Sequence, residues 1–180
     1  MVLDGVGLCD RCFDRRMTVA TGYPRLPEAP PPEDLAGPDG RLHRFRYRLW
    51  RAPTGIVGEA EEIGRGPDEG YHVEVLGSHE ADAGELMARV RDRLKQRVGR
   101  LELEDRAGCH PILAGHEVTG RLVWSGEDKL YDVIVDGRRL SWSEFGRALE
   151  PFEGWEFRLA FQDKEPIAYA AWEADGEDTV

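Results

Sequence analysis

A chain of 180 residues with 41% hydrophobic and 33% charged residues is long enough to bury a real core and too apolar to be disordered throughout. Its 35 acids against 24 bases leave a formal charge of -11, which argues against general nucleic-acid or anionic-membrane binding, because both require net positive surface. The opening MVLDGVGLCDRC has neither a basic stretch nor a long apolar run, so no secretory signal and no transmembrane helix is expected, and the chain reads as cytoplasmic. Three cysteines, Cys9, Cys12 and Cys109, permit one disulfide at most, which suits a reducing compartment.

In chain order, residues 1–39 read as a CxxC knuckle followed by a proline-rich arm. The stretch from Pro24 to Pro38 cannot be a helix or a central strand and is expected as an extended, polyproline-like arm or plain linker. Residues 40–107 read as a strand meander plus a long helix. In RLHRFRYRLWR, from Arg41 to Arg51, His43, Phe45, Tyr47 and Leu49 fall on one face and Arg44, Arg46 and Arg48 on the other. A second strand over 55–63 sets Val57, Glu59, Glu61 and Ile63 on one face. A third over 71–77 sets Tyr71, Val73 and Val75 against His72 and Glu74. Ala83, Leu86, Met87, Val90, Leu94, Val98 and Leu101 recur at helical spacing, so a helix is expected from about Glu80 to Arg106, with Gly99 a candidate early end.

A Gly-rich linker then leads to a unit over 115–162. Val118, Leu122 and Trp124 alternate with Thr119, Arg121, Val123 and Ser125. The run Ser125-Gly126-Glu127-Asp128 reads as a turn, and Tyr131, Val133 and Val135 line the returning strand. Ser141 and Glu144 have the spacing of a capping box, which opens a short helix to about Glu150. After Pro151, the row Trp155, Phe157, Leu159 and Phe161 alternates strictly with Glu156, Arg158 and Ala160, a strong strand signal that predicts a buried row. Residues 163–180 form an acidic tail in which Ile167, Tyr169 and Trp172 offer docking groups. The fold class expected is α+β: two small antiparallel sheet-plus-helix units joined by the Gly-rich linker, behind an N-terminal knuckle and Pro-rich arm.

Cys9-Asp10-Arg11-Cys12 is the sharpest chemical motif. Two thiolates two residues apart can share a tetrahedral zinc, and a complete structural site needs two more donors, for which Cys109 and His116 are the candidates, with His110 and His43 behind them. Packed thiols and a redox dithiol stay open as alternatives, the latter because such motifs open a helix after a strand. The row Arg44, Arg46 and Arg48 beside Trp50, with the basic residues of the long helix, could serve as a nucleic-acid platform. Glu59, Glu61 and Glu74 on neighbouring strands account for it without any ligand, as cross-strand ion pairing, and this is the favoured reading. His72 and Glu74 share a strand face as an acid and a base might, yet no nucleophile elbow, phosphate loop or dinucleotide fingerprint accompanies them.

The phrases CDRC, TGYPRLP, HRFRYRLWRAPTGI and LSWSEFGRALEPFEGWEFRLAF together resemble an uncharacterised bacterial family known only as a domain of unknown function. The resemblance extends to about Asp163 and implies a cytoplasmic bacterial protein; it carries over no catalytic residue. Two aromatic-rich sheet faces, the proline-rich arm and the acidic tail are raw material for interfaces. The expectation is therefore a non-catalytic binding or adaptor protein whose partner is another protein, with a structural zinc as candidate cofactor. A nucleic-acid-associated module and a small enzyme stand behind it.

Overall fold

The computed structural model describes residues 2–3, 6–66, 68–126 and 131–161. Two short strands, β1 (Val2–Leu3) and β2 (Val6–Gly7), pair antiparallel and lead into helix α1 (Asp10–Thr21). Cys9 is the N-cap and Cys12 lies in the first turn, so the segment read as a knuckle is the opening of a helix. Its signals are Phe13 and Met17, spaced one turn apart, and Gly22, whose φ of 73° lets its N–H donate to the Thr18 carbonyl at 3.0 Å and stop the helix.

The proline-rich arm lacks regular structure through Pro32 and then becomes β3 (Glu33–Ala36). This strand is the edge of a four-stranded antiparallel sheet ordered β3-β4-β5-β6, with β4 (Leu42–Ala52), β5 (Gly55–Glu62) and β6 (His72–Gly77). An edge is where a strand approached through prolines is tolerated. The alternation in β4 holds: Phe45 and Tyr47 are buried on the inner face, where Ile56, Ala60, Val73 and Val75 join them. Helix α2 (Ala83–Val98) covers that face with Leu86, Met87, Val90, Leu94 and Val98, while α1 lies against β4. Gly58 permits the close approach, since a Cβ there would stand 3.1 Å from both Met87 Sδ and Val90 Cγ2. On β5 both faces are buried: Val57 and Glu59, on the outer face, are shielded as well as Ile56 and Ala60 on the inner one.

Helix α2 starts where Asp82 accepts a hydrogen bond from the Glu85 N–H at 2.8 Å and ends at Gly99, whose N–H donates to the Lys95 carbonyl at 2.8 Å. The expected continuation to Arg106 does not form. Leu101 is exposed, and Leu103 passes instead into β7 (Leu103–Glu104), which pairs with β8 (Ile112–Leu113) inside the stretch read as a linker. A second sheet follows, ordered β11-β10-β9, from β9 (Arg121–Trp124), β10 (Tyr131–Val135) and β11 (Arg138–Leu140). The sequence reading had no β11; its signal is Asp136-Gly137, whose φ values of 51° and 68° make the two-residue primed turn that suits strand twist. Helix α3 (Trp142–Ala148) opens with the expected capping box: Glu144 Oε2 accepts from the Ser141 N–H at 2.8 Å, and Ser141 Oγ accepts from the Glu144 N–H at 3.2 Å. A 3-10 turn, Glu150–Phe152, closes the unit over a core of Leu103, Leu113, Val133, Val135, Leu140 and Ala148.

The strongest strand expectation fails. Trp155, Phe157, Leu159 and Phe161 lie in irregular chain, between 60% and 89% exposed, and no strand among the described residues pairs with them. Alternation marks a chain able to form a strand, but a strand needs a free edge within reach, and the chain leaves the 3-10 turn without meeting one. The Glu127-Asp128 part of the expected turn and the acidic tail, 163–180, lie outside the described residues.

The two sheet units touch through the Asp136-Gly137 turn. The Gly70 N–H of the first unit donates to the Gly137 carbonyl at 2.9 Å, while inside the second unit Asp136 Oδ2 accepts from the N–H groups of Glu102 and Leu103 at 2.9 and 2.8 Å.

Candidate functional site

The metal-ligand candidates sit in different elements. Cys9 and Cys12 share the first turn of α1, while Cys109 is exposed in a turn where its N–H donates to the Arg106 carbonyl at 3.0 Å. His116 packs its ring 5.1 Å from Trp155 and 5.9 Å from Phe152, and His110 Nε2 stands 3.2 Å from Glu150 Oε2. His43 donates to Glu62 Oε1 at 2.8 Å, and Glu62 Oε2 accepts the Tyr71 N–H at 3.1 Å. Among the described residues no group of three or more His, Cys, Asp or Glu stands together as a metal site requires.

The arginine row forms as drawn from the alternation, and each member meets a carboxylate across the ladder. Arg44 pairs with Asp34 at 3.7 Å, Arg46 with Glu61, and Arg48 with Glu59 at 3.4 Å. His72 donates to the other Glu59 oxygen at 2.7 Å, so Glu59, only 8% exposed, is held from two strands, with Glu74 opposite it in register. The Arg48 guanidinium lies 5.3 Å from the Trp50 ring centre. On this ion-paired face His72 is committed to Glu59. A buried carboxylate requires such partners, because its charge loses water.

Three polar groups of structural weight escaped the sequence reading. Arg51 continues the parity of Phe45 and Tyr47, so it points inward and is 2% exposed. It donates to the carbonyls of Pro24 at 2.9 Å and His79 at 3.1 Å, and its guanidinium covers the Tyr23 ring at 4.9 Å, while Tyr23 stacks on His79 at 4.7 Å. An arginine on the apolar side of an alternating strand was the available signal. Glu33 of β3 accepts from Arg91 at 2.9 and 2.6 Å and from the Tyr47 hydroxyl at 3.0 Å, tying the edge strand to α2. Burial alone would raise the Glu33 pKa; the hydrogen bonds and charge of Arg91 and the Tyr47 bond outweigh it, so the carboxyl titrates below the ordinary range. Tyr47 is pushed up to about 12, first by burial and then by that carboxylate. Asp136 moves the other way: burial raises its pKa against two backbone N–H donors that favour its charge.

Exposed apolar side chains occur on both units, Val19 and Leu42 among them, and several of those of the second unit gather on one hairpin. Register places Leu122 opposite Val133, Trp124 opposite Tyr131 and Val133 opposite Leu140, so Leu122, Trp124 and Tyr131 share the face that carries the second core. The row of Leu122 and Trp124 and the row of Tyr131, Val133 and Val135 thus lie on one face, and the hairpin runs past the core. Trp124 and Tyr131 are half exposed and pack edge to face at 5.4 Å. Val123, expected on the solvent side, is buried, as is Ile134. Ile134 and Arg121 line a cleft with Gly70, Tyr71 and Arg97 of the first unit. Trp142 adds another exposed ring at the start of α3.

No helix among the described residues is long and apolar enough to cross a membrane. Comparison with curated proteins and with solved structures finds no match. Comparison with family models divides the chain at the end of α2, where Gly99 stops the helix. Residues 27–99 match the model of the domain of unknown function DUF7686 and residues 100–165 that of the domain of unknown function DUF7713.

Proposed function

We propose that this chain is a non-catalytic binding or adaptor protein of the bacterial cytoplasm, and that its partner is another protein. The observation that carries this reading is the hairpin tip. Leu122, Trp124 and Tyr131 extend the second core beyond its cover, and exposed aromatic rings next to a folded core are the anchors protein interfaces use. The ion-paired outer face of the first sheet supports the same choice over a nucleic-acid platform, since each arginine of the row already has a carboxylate. A benzophenone amino acid placed at position 124 in cells is expected to give a discrete protein adduct on irradiation, absent when the same group stands at exposed Arg89. Equal yields at both positions, or none at either, would overturn the reading.

Zinc belongs to this proposal as a structural element at the front of α1. Cys9 and Cys12, three residues apart across the first helical turn, present two thiolates and need two donors from elsewhere in the assembly. Elemental mass spectrometry of tag-free protein purified under reducing conditions is expected to show near-stoichiometric zinc that is lost in Cys9→Ser. Metal-free parent protein would remove zinc from the reading and leave the rest.

A further inference from the structure

The row Trp155 to Phe161 lies within the matched DUF7713 segment, which runs to residue 165, so it is part of the domain rather than an appendage. Its four apolar side chains are 60% exposed or more, Phe157 reaching 89%, and among the described residues Trp155 packs against His116 and Phe152. A period-two apolar row with no strand paired to it among the described residues is half of a strand pair.

We propose that the missing half is the same segment of a second copy, paired antiparallel about a twofold axis through Phe157. The charges choose this register. Directly opposed residues share a face, so an axis through Phe157 puts Phe157 against Phe157 and Trp155 against Leu159 of the second copy on the apolar face. On the other face it sets Glu156 against Arg158 of the second copy, twice by symmetry. Moving the axis to Arg158 opposes arginine to arginine, moving it to Glu156 opposes glutamate to glutamate, and moving it to Leu159 sets Arg158 against Ala160, so the Glu156–Arg158 pair forms only with the axis at Phe157, where Phe161 falls opposite Glu153 at the end of the pair. Shifting by a single residue mixes apolar with charged positions. A self-complementary patch of this kind is what an isologous dimer requires. With three rings and a leucine from each copy, the contact buries on the order of 1,000 Å², at the lower end of stable interfaces, so the dimer is expected to be concentration-dependent. This surface is separate in sequence from the hairpin tip, and the dimer neither requires nor excludes a partner there.

The test is the mass of the full chain by sedimentation equilibrium over a hundredfold concentration series, with Glu156→Arg and Arg158→Glu as variants. The parent is expected to pass from monomer to dimer. Each single variant is expected to stay monomeric, because like charges then face each other, and a one-to-one mixture of the two is expected to recover the dimer, since every opposed pair is again of opposite sign. Both positions are exposed, so the variants' melting temperatures are expected to match the parent's. A parent that stays monomeric throughout, or single variants that dimerise as the parent does, would overturn the proposal, the first outcome assigning the row to a different cover and the second placing the dimer contact elsewhere.

Discussion

Arg51 shows how a single residue departs from a pattern that is otherwise obeyed. Alternation sends it inward, and the molecule answers with two carbonyls and a tyrosine ring instead of apolar neighbours, which clamps Pro24 of the arm to His79 before α2. Arg51→Met removes both bonds and leaves the Pro24 and His79 carbonyls without that donor. An expected loss of about 1–3 kcal/mol follows, read by urea denaturation, with faster proteolysis of the arm as its local signature. Glu33 makes a pH-dependent contribution whose sign follows from its lowered pKa. Its carboxylate stabilises the native state at pH values above the unfolded value of about 4.3, and that contribution disappears as pH falls through the lower native value. Glu33→Gln is therefore expected to cost stability at pH 7, with the gap to the parent closing at pH values below about 4; a gap independent of pH would show that the Arg91 contact acts without charge.

At the scale of elements, two rows with the same sequence period meet opposite fates. Phe45 in β4 is fully buried between β3 and β5 and under α2, whereas Phe157 stands in solvent. Phe45→Ala is expected to cost about 3–5 kcal/mol and Phe157→Ala within about 0.5 kcal/mol in dilute monomer, both from chemical denaturation. The helices tell a similar story. The period of α2 was legible through Val98, and Gly99 ended the helix because the chain beyond it finds better burial for Leu103 in the second core. Helix α1 was overlooked because its apolar positions, Phe13 and Met17, are few and the CxxC motif invited a metal reading. The capping box of α3 was legible because it is a local exchange of two hydrogen bonds that depends on nothing distant.

For the whole molecule, the Asp136-Gly137 turn is one place where the two units meet. Asp136 caps the backbone of Glu102 and Leu103, and Gly137 sits where a Cβ would stand 3.1 Å from the Tyr71 nitrogen. Asp136→Ala is expected to free the Glu102 and Leu103 amides inside the second unit, so that exchange at those two accelerates and that of the β5 and α2 core amides does not. Faster exchange throughout would show that the units unfold together.

Period, caps and turn residues are local quantities, and they carried the strands β4 to β6, most of α2, the β9–β10 hairpin, the start of α3 and the ion-paired arginine row. What depends on a distant partner was decided only in three dimensions: that the arm ends as an edge strand, that Arg51 is buried, that β8 stands in the stretch read as a linker, and that no strand among the described residues pairs with Trp155 to Phe161. Alternation says which side chains share a face. Whether that face is covered depends on which other surface arrives there, and that is a property of the folded chain as a whole.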